Sequence, residues 1–137
     1  MRVLFCGLGG IGQRHLRNLR TLLGDQLEVH AYRVRRDRQK LLDNLTIEPN
    51  ADLEVDYRIS VHSELNRALA VEPEVVFVCN PSSLHTPIGL AAAKAGAHLF
   101  IEKPVSHSLE GTDDLLREVE ARGLVAFVGS NWKFHHG

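Results

Sequence analysis

Short apolar runs alternate along this chain with longer segments in which apolar and polar residues recur at helical spacing. The apolar runs predict buried strands, because parallel strands covered on both faces are almost continuously hydrophobic. These strands are expected at 2–6, 27–32, 74–79, 99–101 and 124–128, with a shorter one near 57–59. The run at 74–79 is almost continuously apolar, as expected of a parallel strand covered on both faces.

The segments between the strands predict helices, because their apolar residues recur three and four positions apart. Helices are expected over 12–23, 37–45, 63–69, 84–95 and 109–121. Ser63, Ser83 and Ser108 are expected to cap three of them, since a serine hydroxyl accepts hydrogen bonds from the first free backbone N–H groups. The pattern is weakest over 43–56, which is predicted to be a surface loop.

This alternation of strands and helices predicts an α/β fold: a Rossmann doubly wound parallel sheet with helices on both faces. The expected strand order is 3-2-1-4-5-6, and right-handed crossover connections leave few alternatives. Ligands of such sheets bind at the carboxyl ends of the strands, where the order reverses between the first and the fourth strand. The functional residues are therefore expected in the loops that follow the strands.

The composition is that of an ordinary globular domain, with 44% hydrophobic and 24% charged residues among 137. The formal net charge of −1 does not favour a nucleic-acid or membrane partner. No apolar run is as long as a membrane span, and the N-terminus has no secretory pattern, so we predict a cytoplasmic protein. Cys6 and Cys79 lie near strand ends without metal-ligand spacing and are expected to be buried free thiols.

A glycine-rich turn joins the first strand to the first helix. Gly7, Gly9 and Gly12 occupy the first, third and sixth positions of a hexapeptide that also contains Gly10 and Ile11. Between a strand and a helix this spacing is typical of dinucleotide binding. The first glycine permits the tight turn, the second lets a pyrophosphate approach the backbone, and the third lets the helix pack closely. These five residues are predicted to bind the cofactor.

The end of the second strand bears on the choice of cofactor. An acidic residue there usually accepts hydrogen bonds from the adenosine ribose, but Arg33 occupies the position and Arg36 follows. A guanidinium binds a 2′-phosphate with two parallel hydrogen bonds, so the sequence predicts NADP, with NAD as second choice. Two alternatives stay open: a solvated arginine face, and a shifted register in which Asp37 meets the ribose.

Polar motifs follow the fourth, fifth and sixth predicted strands. They are Asn-Pro-Ser-Ser-Leu-His over 80–85, Glu-Lys-Pro over 102–104 and Gly-Ser-Asn-Trp-Lys-Phe-His over 129–135. Oxidation of an alcohol needs a hydride acceptor, such as a nicotinamide, and a group that takes the hydroxyl proton. A lysine desolvated beside other cationic groups gives up its own proton more readily, so Lys103 is the candidate for that second role.

Together with the glycine turn, these motifs resemble the Gfo/Idh/MocA oxidoreductase family over essentially the whole chain. The tripeptide Glu102-Lys103-Pro104 is the most specific element. The resemblance implies an NAD(P)-dependent enzyme that transfers hydride between the nicotinamide and a sugar, cyclitol or related hydroxy or keto compound. No metal site is expected.

The resemblance also assigns roles to residues. It implies that Lys103 is catalytic, contacting both the substrate hydroxyl and the cofactor. It further implies that Asn80, Pro81 and His85 line the nicotinamide half of the site and that Glu102 touches the nicotinamide ribose. From the residues alone, His85 fits equally well as a group that packs at a helix start.

Members of that family carry a second, mostly β domain that supplies the substrate pocket. The resemblance therefore implies an NAD(P)-binding Rossmann domain over 1–130 and the start of a C-terminal substrate domain over 131–137. Trp132 and Phe134 are expected to form an exposed apolar surface for that domain. The 137 residues are expected to bind dinucleotide without turning over substrate, and the full-length protein to be a homo-oligomer.

A second class of function stays open at this point, a non-catalytic module that senses a dinucleotide and controls a protein partner. Such a module needs the glycine turn but not Lys103 and Glu102, so their presence favours the enzyme. His15, on the first helix, is expected to be a surface residue.

Overall fold

A six-stranded parallel sheet forms the centre of the computed structural model, which describes residues 1–34 and 37–130. The strands of this sheet are β1 (Arg2–Cys6), β2 (Glu28–Tyr32), β5 (Ile59–His62), β6 (Val75–Val78), β7 (His98–Glu102) and β8 (Ala126–Gly129). Two further strands, β3 (Gln39–Leu41) and β4 (Ile47–Asp52), pair as an antiparallel hairpin. The helices are α1 (Gly10–Leu23), α2 (Leu53–Asp56), α3 (Leu65–Leu69), α4 (His85–Lys94) and α5 (Thr112–Ala121).

The strand order of the large sheet is β5-β2-β1-β6-β7-β8. Counted along the chain without the hairpin, this is the predicted order 3-2-1-4-5-6, and the predicted α/β Rossmann fold is confirmed. The order reverses between β1 and β6, which pair in parallel with Cys6 opposite Val78. The loops after these two strands therefore face each other across the position where open α/β sheets bind ligands.

The core has a layer on each face of the sheet, because successive side chains of a strand point to opposite sides. Val3 and Phe5 of β1 pack with α1 on one face, while Leu4 and Cys6 pack towards α4 and α5 on the other. Cys6 and Cys79 are buried and free, as predicted, and burial raises the pKa of both thiols to about 12. No helix in the described part of the chain is long and apolar enough to cross a membrane.

The three predicted serine caps are wrong. Glu64 and Gly111 precede α3 and α5, and Leu84 precedes α4, whose start is delayed by a 3-10 turn over Ser82–Leu84. No side chain forms a capping hydrogen bond at these starts. These helices thus begin after local turns. The preference of serine for the N-cap position does not reveal such turns.

The predictions for the segment after β2 are also wrong, since a hairpin and a short helix replace the expected helix over 37–45 and loop over 43–56. The cause is a tertiary contact with α1. The amide of Gln13 donates to the carbonyls of Leu8 (3.1 Å) and Gln39 (3.0 Å), and its oxygen accepts from Leu41 N (2.8 Å). Arg17 also donates to the Leu41 carbonyl at 2.8 Å. Such contacts override helix propensity, which is a weak preference.

We predict that Gln13→Ala releases the hairpin from α1. Gln13 is only 2% exposed, and its removal leaves backbone groups without partners, so the free energy of unfolding should fall by about 1–3 kcal/mol. In hydrogen exchange, the Leu41 amide should lose more protection than the amides of β1 and β6, which should lose only as much as the free energy of unfolding falls. Gln26→Ala, at an exposed glutamine, is the control. Unchanged protection at Leu41 would contradict the anchoring role.

Candidate functional site

The glycine turn after β1 is tightly packed at two of its glycines and open at the third. A Cβ at Gly12 would lie 2.3 Å from the Gly7 oxygen, so only glycine lets α1 approach the turn this closely. Gly7 has φ +101°, and a Cβ there would lie 2.8 Å from Asn80 N. A Cβ at Gly9 would meet nothing within 4 Å. The turn therefore has the form that a close-lying pyrophosphate requires, with free space at Gly9.

The first turn of α1 faces that free space. Gln13 N to Gly9 O (2.9 Å) is the first bond of the helix, and no side chain caps its start. The N–H groups at the start of a helix lack partners within the helix and carry its positive dipole end, so they can bind phosphate. A cavity of about 610 Å³ borders this turn and is lined by Gly10, Ile11, Arg14, Arg17, Asn18, Asp43 and Leu45.

His85 joins the loop after β6 to the loop after β7. Its ring is 2% exposed, with Nε2 2.7 Å from the Asn80 carbonyl oxygen and Nδ1 2.9 Å from the Pro104 carbonyl oxygen. Both nitrogens thus face the protein's own backbone, which supports the packing role; contact with a cofactor stays a prediction. The Asn80 side-chain oxygen is buried without a partner among the described residues. That free acceptor, next to the glycine turn, fits a ligand that donates a hydrogen bond.

The Glu-Lys-Pro tripeptide begins at Glu102, the last residue of β7. The peptide bond between Lys103 and Pro104 is cis, a form that is found almost only before proline. Glu102 is 8% exposed. Its Oε1 lies 2.6 Å from His15 Nε2, and its Oε2 accepts from Lys103 N at 3.1 Å. The Lys103 side chain is exposed, so the described residues do not supply the desolvation expected around its ammonium group.

The prediction that His15 is a surface residue is wrong. Its side chain is 20% exposed, and its ring meets the ring of Phe100 edge-on, with 4.7 Å between centroids. The sequence did contain a signal, because Gly12, Leu16 and His15 lie on the same face of a helix. This residue connects α1, which follows the glycine turn, to the acid of the tripeptide.

Arg33 is placed at the carboxyl end of the sheet but already has an anionic partner. Its side chain is 9% exposed, its NH1 lies 3.3 Å from Glu54 Oε1, and it donates to the Asp37 carbonyl. Arg38 NH2 also pairs with Glu54, at 3.1 Å. The alternative that Arg33 belongs to a solvated arginine face is therefore wrong. Its partner Glu54 was not among the residues predicted from the sequence. Arg36 lies outside the described residues.

The structure thus brings most of the predicted site residues to one edge of the sheet. The glycine turn, Asn80 and the Glu102 carboxylate meet near the reversal of strand order, and Arg33 follows the neighbouring strand β2. Trp132 and Phe134 lie outside the described residues. Within the described part of the chain, no group of three or more His, Cys, Asp or Glu side chains could hold a metal ion.

Known proteins are similar to this chain in both fold and sequence. Myo-inositol 2-dehydrogenase of Thermotoga maritima is 31% identical over 138 residues, covering 98% of this chain and 37% of the relative. The crystal structure of a probable dehydrogenase from Thermotoga maritima matches with a TM-score of 0.79 at 25% identity, covering 99% of this chain and 38% of that one.

A second solved structure shows the fold alone, because its identity is lower. It is scyllo-inositol dehydrogenase from Lactobacillus casei with bound NAD(H) and scyllo-inositol, with a TM-score of 0.78 at 20% identity, covering 98% of this chain and 37% of that chain. The chain spans less than two fifths of the length of these three proteins.

The family model for Gfo/Idh/MocA, an oxidoreductase family with an NAD-binding Rossmann fold, matches residues 1–130. The match covers the glycine turn, Arg33, the Asn80 loop and the Glu-Lys-Pro tripeptide. This chain therefore belongs to the Gfo/Idh/MocA oxidoreductase family, and residues 1–130 are its NAD-binding Rossmann domain.

Proposed function

We propose that this chain is the dinucleotide-binding part of an oxidoreductase that transfers hydride between NAD(P) and a hydroxyl or keto carbon of a sugar, cyclitol or related compound. The observation that carries the proposal is the contact between Glu102 and His15. It joins the end of β7, where Lys103 follows, to the helix that begins at the glycine turn. The similarity to myo-inositol 2-dehydrogenase of Thermotoga maritima supports the substrate class.

The nicotinamide, when bound, supplies the hydride acceptor or donor. The chain's own residues have four tasks. Gly9 and the first turn of α1 receive the pyrophosphate, Glu102 holds the nicotinamide ribose, and Asn80 and Pro81 line the nicotinamide half. Lys103 Nζ, as the neutral amine, accepts a hydrogen bond from the substrate hydroxyl and takes up its proton as hydride leaves the carbon, so that the amine becomes an ammonium group.

Because Lys103 is exposed in this domain, we propose that a second domain shields it from water. Water around an exposed ammonium group competes with the substrate hydroxyl and weakens electrostatic interactions. A substrate domain that begins in 131–137 would cover Lys103 and exclude that water. The proposed full-length protein is a cytoplasmic homo-oligomer with no nucleic-acid or membrane partner.

NADP is the proposed cofactor, with NAD as second choice. The support is Arg33, whose guanidinium binds a carboxylate of Glu54 at the place where the adenosine ribose of a dinucleotide lies. A 2′-phosphate would take the place of that carboxylate and form charge-assisted hydrogen bonds with Arg33. The match to a family model described as an NAD-binding Rossmann fold is the reason for keeping NAD as the alternative.

Titration with NADPH and NADH, followed by nicotinamide fluorescence, tests the binding site. Gly9→Ala should weaken binding of both about tenfold or more, because a methyl group occupies the space through which the pyrophosphate approaches. The unfolding midpoint should stay unchanged, since that methyl meets no protein atom. Gly12→Ala, in contrast, should lower stability by about 1–3 kcal/mol through overpacking. No binding of either cofactor to the unmodified chain would refute the proposal.

Glu54→Gln tests the cofactor preference. Removing the competing carboxylate should tighten NADPH binding several-fold relative to NADH binding, and Arg33→Ala should abolish the difference. Glu118→Gln is the matched control, because Glu118 also pairs with an arginine, Arg122, but on α5. Tighter binding of NADH than NADPH by both the unmodified chain and Glu54→Gln would establish NAD as the cofactor.

Activity assays with myo-inositol and NAD(P)⁺ separate the two parts of the proposal. The 137 residues alone should show no turnover, and detectable turnover would show that no second domain is required. In a full-length enzyme carrying this domain, Lys103→Met should lower kcat about 100-fold or more, the usual contribution of a general acid–base group. Full activity of that variant would remove Lys103 from the reaction.

A further inference from the structure

His15 connects two parts of the fold that are far apart in the chain. Its Nε2 lies 2.6 Å from Glu102 Oε1, the shortest of the contacts that either side chain makes. The two side chains are 20% and 11% exposed, so water competes little with this hydrogen bond. The contact therefore holds α1 and the end of β7 in one arrangement.

Aromatic rings fix the direction of the imidazole. His15 meets Phe100 edge-on at 4.7 Å and lies 6.1 Å from the ring of Phe77. Phe77 is itself stacked between Phe100, at 5.0 Å, and Phe5, at 4.8 Å. Because these rings fill the space beside the imidazole, His15 has little freedom to turn away from Glu102.

The carboxylate of Glu102 is equally confined. Its second oxygen accepts from Lys103 N, and a Cβ at Gly129 of β8 would lie only 3.0 Å from its first oxygen. Gly129 thus leaves just the space that the carboxylate occupies. Without His15, a buried carboxylate would lose a partner, which favours a rotation towards water.

We propose that His15 is a positioning residue, which holds the Glu102 carboxylate in the orientation that binds the nicotinamide ribose. His15 acts through Glu102 and does not itself touch the cofactor. The inference rests on the proposed function and adds a residue to it: the helix that receives the pyrophosphate also sets the geometry of the group that receives the nicotinamide half.

Comparison of two ligands tests this role in the 137-residue chain. NADH contains the nicotinamide riboside, and ADP lacks it. His15→Ala should weaken NADH binding about tenfold and change ADP binding less than twofold, whereas damage to the whole fold would weaken both. His15→Gln, whose amide N–H can still donate to Glu102, should recover most of the lost affinity.

Two further variants change the Glu102 side of the contact with His15. Glu102→Gln should lower NADH affinity, and adding His15→Ala to it should cost little more, because both changes disrupt one interaction. Gly129→Ala should also weaken NADH binding selectively, because the added methyl group would lie 3.0 Å from the Glu102 carboxylate and 3.1 Å from the Phe100 ring that packs against His15. His98→Ala is the control, since that exposed histidine on β7 accepts a hydrogen bond from Val125 N, away from the site.

Each outcome distinguishes the two levels of the proposal. Equal loss of NADH and ADP affinity in both His15 variants, unchanged NADH affinity in His15→Ala, or additive effects with Glu102→Gln would overturn the positioning role alone. If the unmodified chain bound none of NADH, ADP and NADPH, the proposed function would be overturned, and this inference with it.

Discussion

The close packing of α1 against the glycine turn is the constraint on which the rest of the structure depends. Gly12 leaves no room for a side chain beside the Gly7 carbonyl, so the position of the helix relative to β1 is fixed from its first turn. Side chains farther along the helix then reach in two directions. Gln13 holds the hairpin, and His15 holds Glu102 at the end of β7.

Much of the fold was predictable because its strands and its glycine turn are local signals. The apolar run at 74–79 indicates a buried strand without knowledge of its partners, and right-handed crossovers leave few alternatives to the strand order of a doubly wound sheet. The hairpin was not predictable in this way. Leu41 and Leu42 fit a helix when read alone, and β3 forms because Gln13 supplies hydrogen bonds from another part of the chain.

The residues of the site also divide into those that contiguous motifs predict and those that only tertiary contacts bring to the site. Lys103 and the glycines stand out in the sequence because their motifs are contiguous. Glu54 did not stand out, because its relation to Arg33 arises only when α2 folds back against the end of β2. His15 is intermediate: helix periodicity places it on the inner face, but only the structure shows which acid it meets.

Both hydrogen bonds from Gln13 to the hairpin go to main-chain atoms, the carbonyl of Gln39 and the N–H of Leu41. Hydrogen bonds to main-chain atoms do not depend on which side chains the hairpin carries. The identities of the residues along β3 can therefore drift, provided that the backbone keeps its strand conformation. The surface beside the glycine turn can therefore change while the attachment to α1 persists.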